Sequence, residues 1–176
     1  MTDTVLHIPT LVTERLTLRA PRAADMDAYA AFRASDQMRH LGGPASRAAA
    51  WEHLSGVAGQ WLLRGYGRWI VTMTGDDAPL GVVGIYHPED WPEPEIGWSV
   101  TAAAEGRGIA REAALATRGY AYRVLGWPTI ASFIAAGNTR SEALAQRLDC
   151  TPDGVFPHAE YGDMTIWRHP APEVAS

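Results

Sequence analysis

Polar and apolar positions alternate through Arg15-Leu-Thr-Leu-Arg19, the period of a half-buried strand. Downstream the period lengthens. Met26, Tyr29, Ala30 and Phe32 fall at near-helical spacing within Asp25 to Ser35, and Gly42-Gly43-Pro44 then breaks the chain. Ser46 is placed to cap a second helix, about Arg47 to Leu63, with an apolar stripe of Trp51, Leu54, Ala58, Trp61 and Leu62. Its two tryptophans suit either core packing or the wall of a pocket. Arg68 to Thr74 and Leu80 to Tyr86 predict a strand pair turned by Gly75-Asp-Asp-Ala-Pro79. A proline- and acid-rich loop, Pro88 to Pro94, ends the second of these. Glu95 to Val100 predicts the next strand, and a helix follows from the glycines at 106 and 108 to about Leu125, before Trp127-Pro128. Thr129 to Ile134 predicts a strand. Thr139-Arg-Ser-Glu142 has capping-box spacing and opens a helix to about Leu148. Short strands near Gly154 to Pro157 and Met164 to Arg168 complete the order β-α-α-β-β-β-α-β-α-β-β. The strand–helix–strand unit at 95–134 implies a parallel pair inside a mixed sheet, hence an α/β (α+β) fold of about seven strands and about four helices.

The 176 residues suit a single domain with one core. A formal charge of −5 implies no broad basic surface and argues against nucleic acid as the main partner. The one cysteine, Cys150, excludes an internal disulfide, has no metal-ligand spacing around it, and reads as a small core residue. No metal site is expected. Met1 to Thr10 lacks a basic start and an apolar run, and no segment approaches the ~18 apolar residues of a membrane span, so a cytoplasmic protein is expected. The Pro/Ala-rich tail, His169 to Ser176, is expected to fray.

Candidate chemistry concentrates at Glu95-Ile-Gly-Trp-Ser-Val100 and Gly106-Arg-Gly-Ile-Ala-Arg-Glu112. A glycine-rich entry into a helix leaves backbone N–H groups unpaired where the helix dipole favours negative charge, a site suited to phosphates. A dinucleotide fits poorly: Arg111 stands where a third small residue is wanted, and the strand ending Phe133-Ile-Ala-Ala-Gly137 brings no acid for a ribose. A triphosphate loop would need Gly-Lys-Ser/Thr, which is absent. A close-packed strand–helix loop with no ligand is the plain alternative.

Three motifs carry a resemblance: Glu105, Gly108 and Ala110 in the frame Gln/Arg-x-x-Gly-x-Gly/Ala; Asn138, Ser141, Leu144 and Leu148; and Glu14-Arg-Leu-Thr-Leu-Arg19. With these the chain, from about residue 12 to 168, resembles the GNAT superfamily of N-acetyltransferases, in particular the branch that includes enzymes acetylating ribosomal-protein N-termini. The resemblance implies a mostly antiparallel sheet with a central V-shaped splay between the strands at 95–100 and 129–134. It implies acetyl-CoA as cosubstrate, with the pantetheine arm along Trp98, Ser99 and Val100 and the diphosphate at Gly106, Arg107, Gly108, Ile109, Ala110 and Arg111. Asn138 would tie the strand end to coenzyme A or to the helix start. A homodimer follows by analogy alone. Three positions depart from the family pattern: Glu105 replaces Gln or Arg and is expected to point outward, Asp149 replaces a glycine that ends the last helix, and Ala145 replaces a tyrosine that protonates the leaving thiolate.

The implied acceptor is a primary amine, on a small molecule or at a protein N-terminus. At pH 7 an α-amine loses its proton for about 1 kcal/mol, and a lysine for about 4.6 kcal/mol, so the first needs only a modest base. Glu95 is the first base candidate, or else an ordinary strand-end acid. His87, Glu89, His158, Glu160 and Tyr161 are loop candidates. Ser141 either donates a proton near the sulfur or caps its helix. Residues 39–64, 86–94 and 156–163 are expected to build the acceptor site, with Trp51, Trp61, Tyr86, Trp91, Phe156 and Tyr161 as aromatic walls and nearby acids attracting a cation. A non-catalytic coenzyme-A-binding module and a purely structural domain are the competing classes.

Overall fold

Among the described residues eight strands form one sheet, in which the first six lie side by side in chain order and the eighth and then the seventh complete it. The computed structural model describes residues 7–172, and the first six and last four residues lie outside it. The strands are β1 (Leu11–Val12), β2 (Leu16–Arg19), β3 (Arg68–Met73), β4 (Gly81–Tyr86), β5 (Glu95–Val100), β6 (Ala131–Ala135), β7 (Thr151–His158) and β8 (Gly162–Arg168). The helices are α1 (Met26–Arg33), α2 (Arg47–Arg64), α3 (Ile109–Arg123) and α4 (Thr139–Arg147). The expected strand count was seven; the eighth is β1, two residues paired with Leu18 and Thr17, too short to show a period. The expected final strands are each longer, and pair as a hairpin.

The alternation read in Arg15 to Arg19 sends Leu16 and Leu18 into the main core. There they meet Trp69 and Val71 of β3, Val83 and Ile85 of β4, and Ile109, Ala113 and Ala114 of α3. Small residues on α3 let the helix lie close against the sheet. On the opposite face, Ile70 and Val82 pack against Tyr29, Phe32, Leu54 and Val57 of α1 and α2. Farther along that face Trp91, Ala131, Phe133 and Met164 form a separate cluster. Burial of these side chains supplies about 1.5–3 kcal/mol each for the larger ones.

Helix α2 is oriented differently from its expected stripe. Leu54, Val57 and Trp61 point inward, whereas Trp51 is 54% exposed and Leu62 59%. Trp61 is therefore a core residue, its indole donating to Arg68 O at 2.9 Å, while Trp51 lies at the surface and lines a cavity beside Ala23 and Met26. Ser46 caps α2 as anticipated, accepting from Ala49 N at 3.2 Å. The cap of α4 is Asn138 rather than Thr139: its side chain accepts from Ser141 N at 3.3 Å. Fraying of the tail from His169 is also corrected. His169 is buried, its N–H donates to Ile130 O at 3.0 Å, and Pro170 O accepts from Tyr122. The remaining terminal expectations, for residues 1–6 and 173–176, lie outside the described residues. No described helix is long and apolar enough to cross a membrane.

Candidate active site

The parallel strands β5 and β6 pair only at Glu95 and Ala131, then diverge. Side chains complete the hydrogen bonds that the separating backbones cannot make. Phe133 N donates to Glu95 Oε2 at 2.7 Å, Ser132 Oγ donates to Ile96 O at 2.6 Å, and Glu95 Oε1 accepts from Trp91 Nε1 at 2.9 Å. Glu95 is 6% exposed, and burial lifts its pKa from 4.5 to about 7 against the pull of the two donors and of Arg68. It thus pins the vertex of the splay.

Beyond the vertex one edge of β5 is open. Thr101 N donates to Leu80 O, so the odd-numbered residues of β5 turn their backbone groups to β4, and Trp98 and Val100 turn theirs toward the gap. Val100 O accepts there from Gln37 Nε2 at 3.4 Å. The gap is part of a cleft of about 720 Å³ lined by Trp98, Ser99 and Val100, the turn at 104–111, and α4 from Asn138 to Arg147.

At the start of α3, Gly106 and Gly108 hold φ of 69° and 75°, left-handed values that side chains resist. Gly108 is the N-cap and offers no side-chain acceptor. The first intrahelical bond runs from Glu112 N to Gly108 O at 3.0 Å. The amides from Gly106 to Arg111 consequently lack acceptors among the described residues, and all of these residues but Arg107 line the cleft. This is a suitable cradle for a diphosphate.

The turn is braced from the segment between β1 and β2. Arg15 donates to Glu112 Oε2 at 2.7 Å and to Arg107 O at 3.2 Å, and Thr13 Oγ1 donates to Glu112 Oε1 at 2.6 Å. Burial would raise the Glu112 pKa, but these donors outweigh it and hold the carboxylate below its usual range. The early motif thus supports the phosphate turn through Arg15. Its other arginine, Arg19, is a buried structural residue paired with Asp25 at 2.7 Å.

The candidate residues are not all gathered here. Ser141 faces the cleft, and its Oγ lies 3.2 Å from Trp98 Nε1. Asn138 also lines it, with its side chain engaged in capping. Arg107 turns away, donating to Ala103 O at 3.1 Å. Arg111 lines the cleft while its Nε donates to Arg147 O at 3.0 Å. Glu105 does not point outward. It lines the cleft, pairs with Arg140, and accepts from Gln37, and its hydrogen bond with Arg140 is the main reason its pKa is lowered. An acid beside the phosphate site is thereby neutralised by a cation. Ala145 is fully buried in the main core and does not line the cleft. Asp149 holds the left-handed conformation of the missing glycine, with φ 61°.

The loop candidates are largely engaged elsewhere. His87 Nδ1 is 2.8 Å from Tyr66 Oη, Glu89 pairs with Arg64, and His158 with Asp90. Tyr86, Trp91, Phe156 and Tyr161 pack together in one aromatic cluster. Cys150 is buried, and burial pushes its thiol up to about 11. The sequence reading passed over Gln37, on a 3-10 turn (Asp36–His40) beside the cleft, and Arg140 and Arg147 on α4, and it took Arg39 and His40 only as the start of the acceptor segment 39–64. The run Asp-Gln-Met-Arg-His carries one apolar anchor, Met38, and no period that could place it.

A split sheet with a turn of unpaired amides beside the split suits a ligand that carries phosphate groups. The family model for the acetyltransferase (GNAT) domain matches residues 15–151, and the chain belongs to that family. An acetyltransferase from Agrobacterium tumefaciens is 35% identical, with a TM-score of 0.85 over 97% of this chain and 99% of that one. A GNAT-family acetyltransferase from Bacillus anthracis is 20% identical, with a TM-score of 0.77 over 91% and 97% of the two chains. An acetyltransferase from Salmonella typhimurium, described as modifying the N-terminal serine of ribosomal protein L7/L12, is 17% identical, with a TM-score of 0.75 over 89% and 95%. The last two share the fold. Acetyl-CoA is the donor that the family uses.

Proposed function

We propose that the chain moves an acetyl group from acetyl-CoA to a primary amine. The observation that carries this reading is the row of unpaired amides from Gly106 to Arg111, opening into a cleft that runs to the uncovered edge of β5. These amides would hold the diphosphate, and Arg39, Arg111 and Arg147 would add positive charge around it. The backbone of Trp98 and Val100 would align the pantetheine arm as a strand neighbour would. Acetyl-CoA, when bound, supplies the activated acyl carbon.

This chain's residues would then manage two protons. Glu95, with a pKa near neutrality, accepts the proton that the amine loses, directly or through water. Its two accepted hydrogen bonds leave further lone pairs for that task. Ser141 donates toward the departing sulfur in place of the absent tyrosine. Because the Trp98 indole already supplies an N–H to Ser141 Oγ, the serine hydrogen is left to point elsewhere.

Thiol release from acetyl-CoA, measured against a panel of amines and short N-terminal peptides, tests the proposal; turnover with at least one class is expected. Ala145 in the tyrosine position favours a second reading, a coenzyme-A-binding module without catalysis. That reading predicts coenzyme A binding with no amine-dependent thiol release.

A further inference from the structure

Arg68, Gly84 and Gly97 are register partners across β3, β4 and β5, so they share one face of the sheet. Tyr86 and Glu95 form the next pair along that face. To one side the face is covered at Ile70 and Val82 by the α1–α2 core, and to the other by the Trp91 cluster. Between the two, Gly97 leaves a floor without a side chain, whereas Gly84 is buried against β3, where a Cβ would stand 2.5 Å from Arg68 Cα. A Cβ placed on Gly97 would meet only Tyr86 Cβ, at 3.6 Å. Two residues along from Gly97, Ser99 opens onto the cleft. An acceptor lying on this floor would therefore reach the acetyl end from the opposite side to α3.

Two arginines near the floor have no ion-pair partner among the described residues. The Arg68 guanidinium lies over the Tyr86 ring, 4.1 Å from its centroid, and forms no ion pair among the described residues. Arg33 forms none either. Its Nη1 contacts Met38 Sδ at 3.2 Å, and its buried Nε has no partner. The groups bearing on Arg68 are Tyr29, Tyr86, Glu95 and Arg33. Of these Glu95 is the one acid, and its oxygens serve Trp91 and Phe133. Glu160, on the β7–β8 turn, pairs with neither arginine. Burial, then Arg68 and Arg33, hold His53 neutral, with its pKa near 3. A desolvated Arg68 guanidinium, with the partnerless Nε of Arg33 near it, is costly unless an anion joins them.

We infer that Arg68, assisted by Arg33, binds a carboxylate of the acceptor, so that the acceptor is a compact amine carrying an acid group, with an amino acid as its smallest form. The spacing suits such a molecule. Gly97 and Arg68 are two strands apart, about 10 Å between their backbones, and the Arg68 side chain shortens that span. The inference rests on the amine-acceptor reading for its chemistry, but not for its test.

Binding of the twenty amino acids and a set of dipeptides, each beside its decarboxylated or amidated counterpart, is measured calorimetrically with coenzyme A present. The wild type is compared with Arg68→Met, and circular dichroism and coenzyme A affinity verify the variant's fold. At least one acid is expected to bind about tenfold or more tighter than its uncharged counterpart, with that preference lost in Arg68→Met and coenzyme A affinity unchanged. Equal binding of acids and counterparts, or equal weakening of both in Arg68→Met, overturns the inference. So does selective binding of long N-terminal peptides with none of the small acids bound. Preferential acid binding that is lost with Arg68, but with no acetylation of any amine, would uphold the anion subsite while removing the transfer reading.

Discussion

Trp98 Nε1 donates to Ser141 Oγ at 3.2 Å, joining the open edge of β5 to the first turn of α4 across the cleft. The contact orients the serine without consuming its proton. Replacing Ser141 by Ala removes the proposed donor and leaves the Asn138 cap in place, because Asn138 Oδ1 accepts from the backbone N–H of residue 141. The kcat is expected to fall about tenfold to a hundredfold, with acetyl-CoA affinity within about twofold of wild type. Steady-state kinetics beside calorimetry checks this, and an unchanged kcat removes Ser141 from the proton path.

Gly108→Val is a sharper test of the phosphate turn. A β-branched residue resists φ of 75°, and a Cβ would stand 3.4 Å from an Arg15 Nη2 that braces the turn. Reorienting the turn disperses the amides, so the dissociation constant for coenzyme A is expected to rise at least about tenfold. Calorimetric titration measures it. Unaltered affinity would mean that the diphosphate rests elsewhere.

The elements around this site were legible because their signals are local. Glu95 to Val100 forms the strand as read, and the glycines at 106 and 108 mark the entry to α3. Ser46 and the Gly75 turn likewise depend only on near neighbours. What escaped the reading depends on distant partners. Glu105 turns inward because Arg140, on a different helix, receives it, and no spacing reports that docking. Arg15 was legible as part of a motif but not as a brace, since Glu112 is 97 positions away. Arg68 looked like a strand end; only the register of three strands shows it beside two glycines.

Asp149 provides a stability test away from the chemistry. It is exposed and ends α4 with φ 61°, which costs a side-chain-bearing residue about 1–2 kcal/mol, and somewhat less for Asp. Glycine removes that cost but adds about 0.4–1 kcal/mol of unfolded-chain entropy. Asp149→Gly is therefore expected to stabilise by about 0.5 kcal/mol, whereas Asp149→Ala should destabilise. Urea midpoints at constant m-value decide it, and the same sign for both variants would contradict the argument.

Glu95 links stability and rate through one proton. Its folded pKa of about 7 lies above its ordinary 4.5 because burial disfavours the charge. Below pH 4.5 both folded and unfolded chains hold the proton, and the site carries no penalty. As pH rises toward 7 the unfolded chain releases its proton while the folded one retains it, so stability declines, by about 3 kcal/mol in all, and then levels. Glu95→Gln does not titrate, so the stability difference between wild type and variant should trace this decline. Activity should run the opposite way. The ionised form accepts the amine's proton, so kcat/KM for a given amine should climb to a plateau above about pH 7 once the amine's own titration is divided out. Loss of that limb in Glu95→Gln, together with the stability trace, identifies the carboxylate as both pin and base. A limb that persists in the variant, with the stability trace present, would leave Glu95 only the structural task of bridging Trp91 and Phe133 at the vertex.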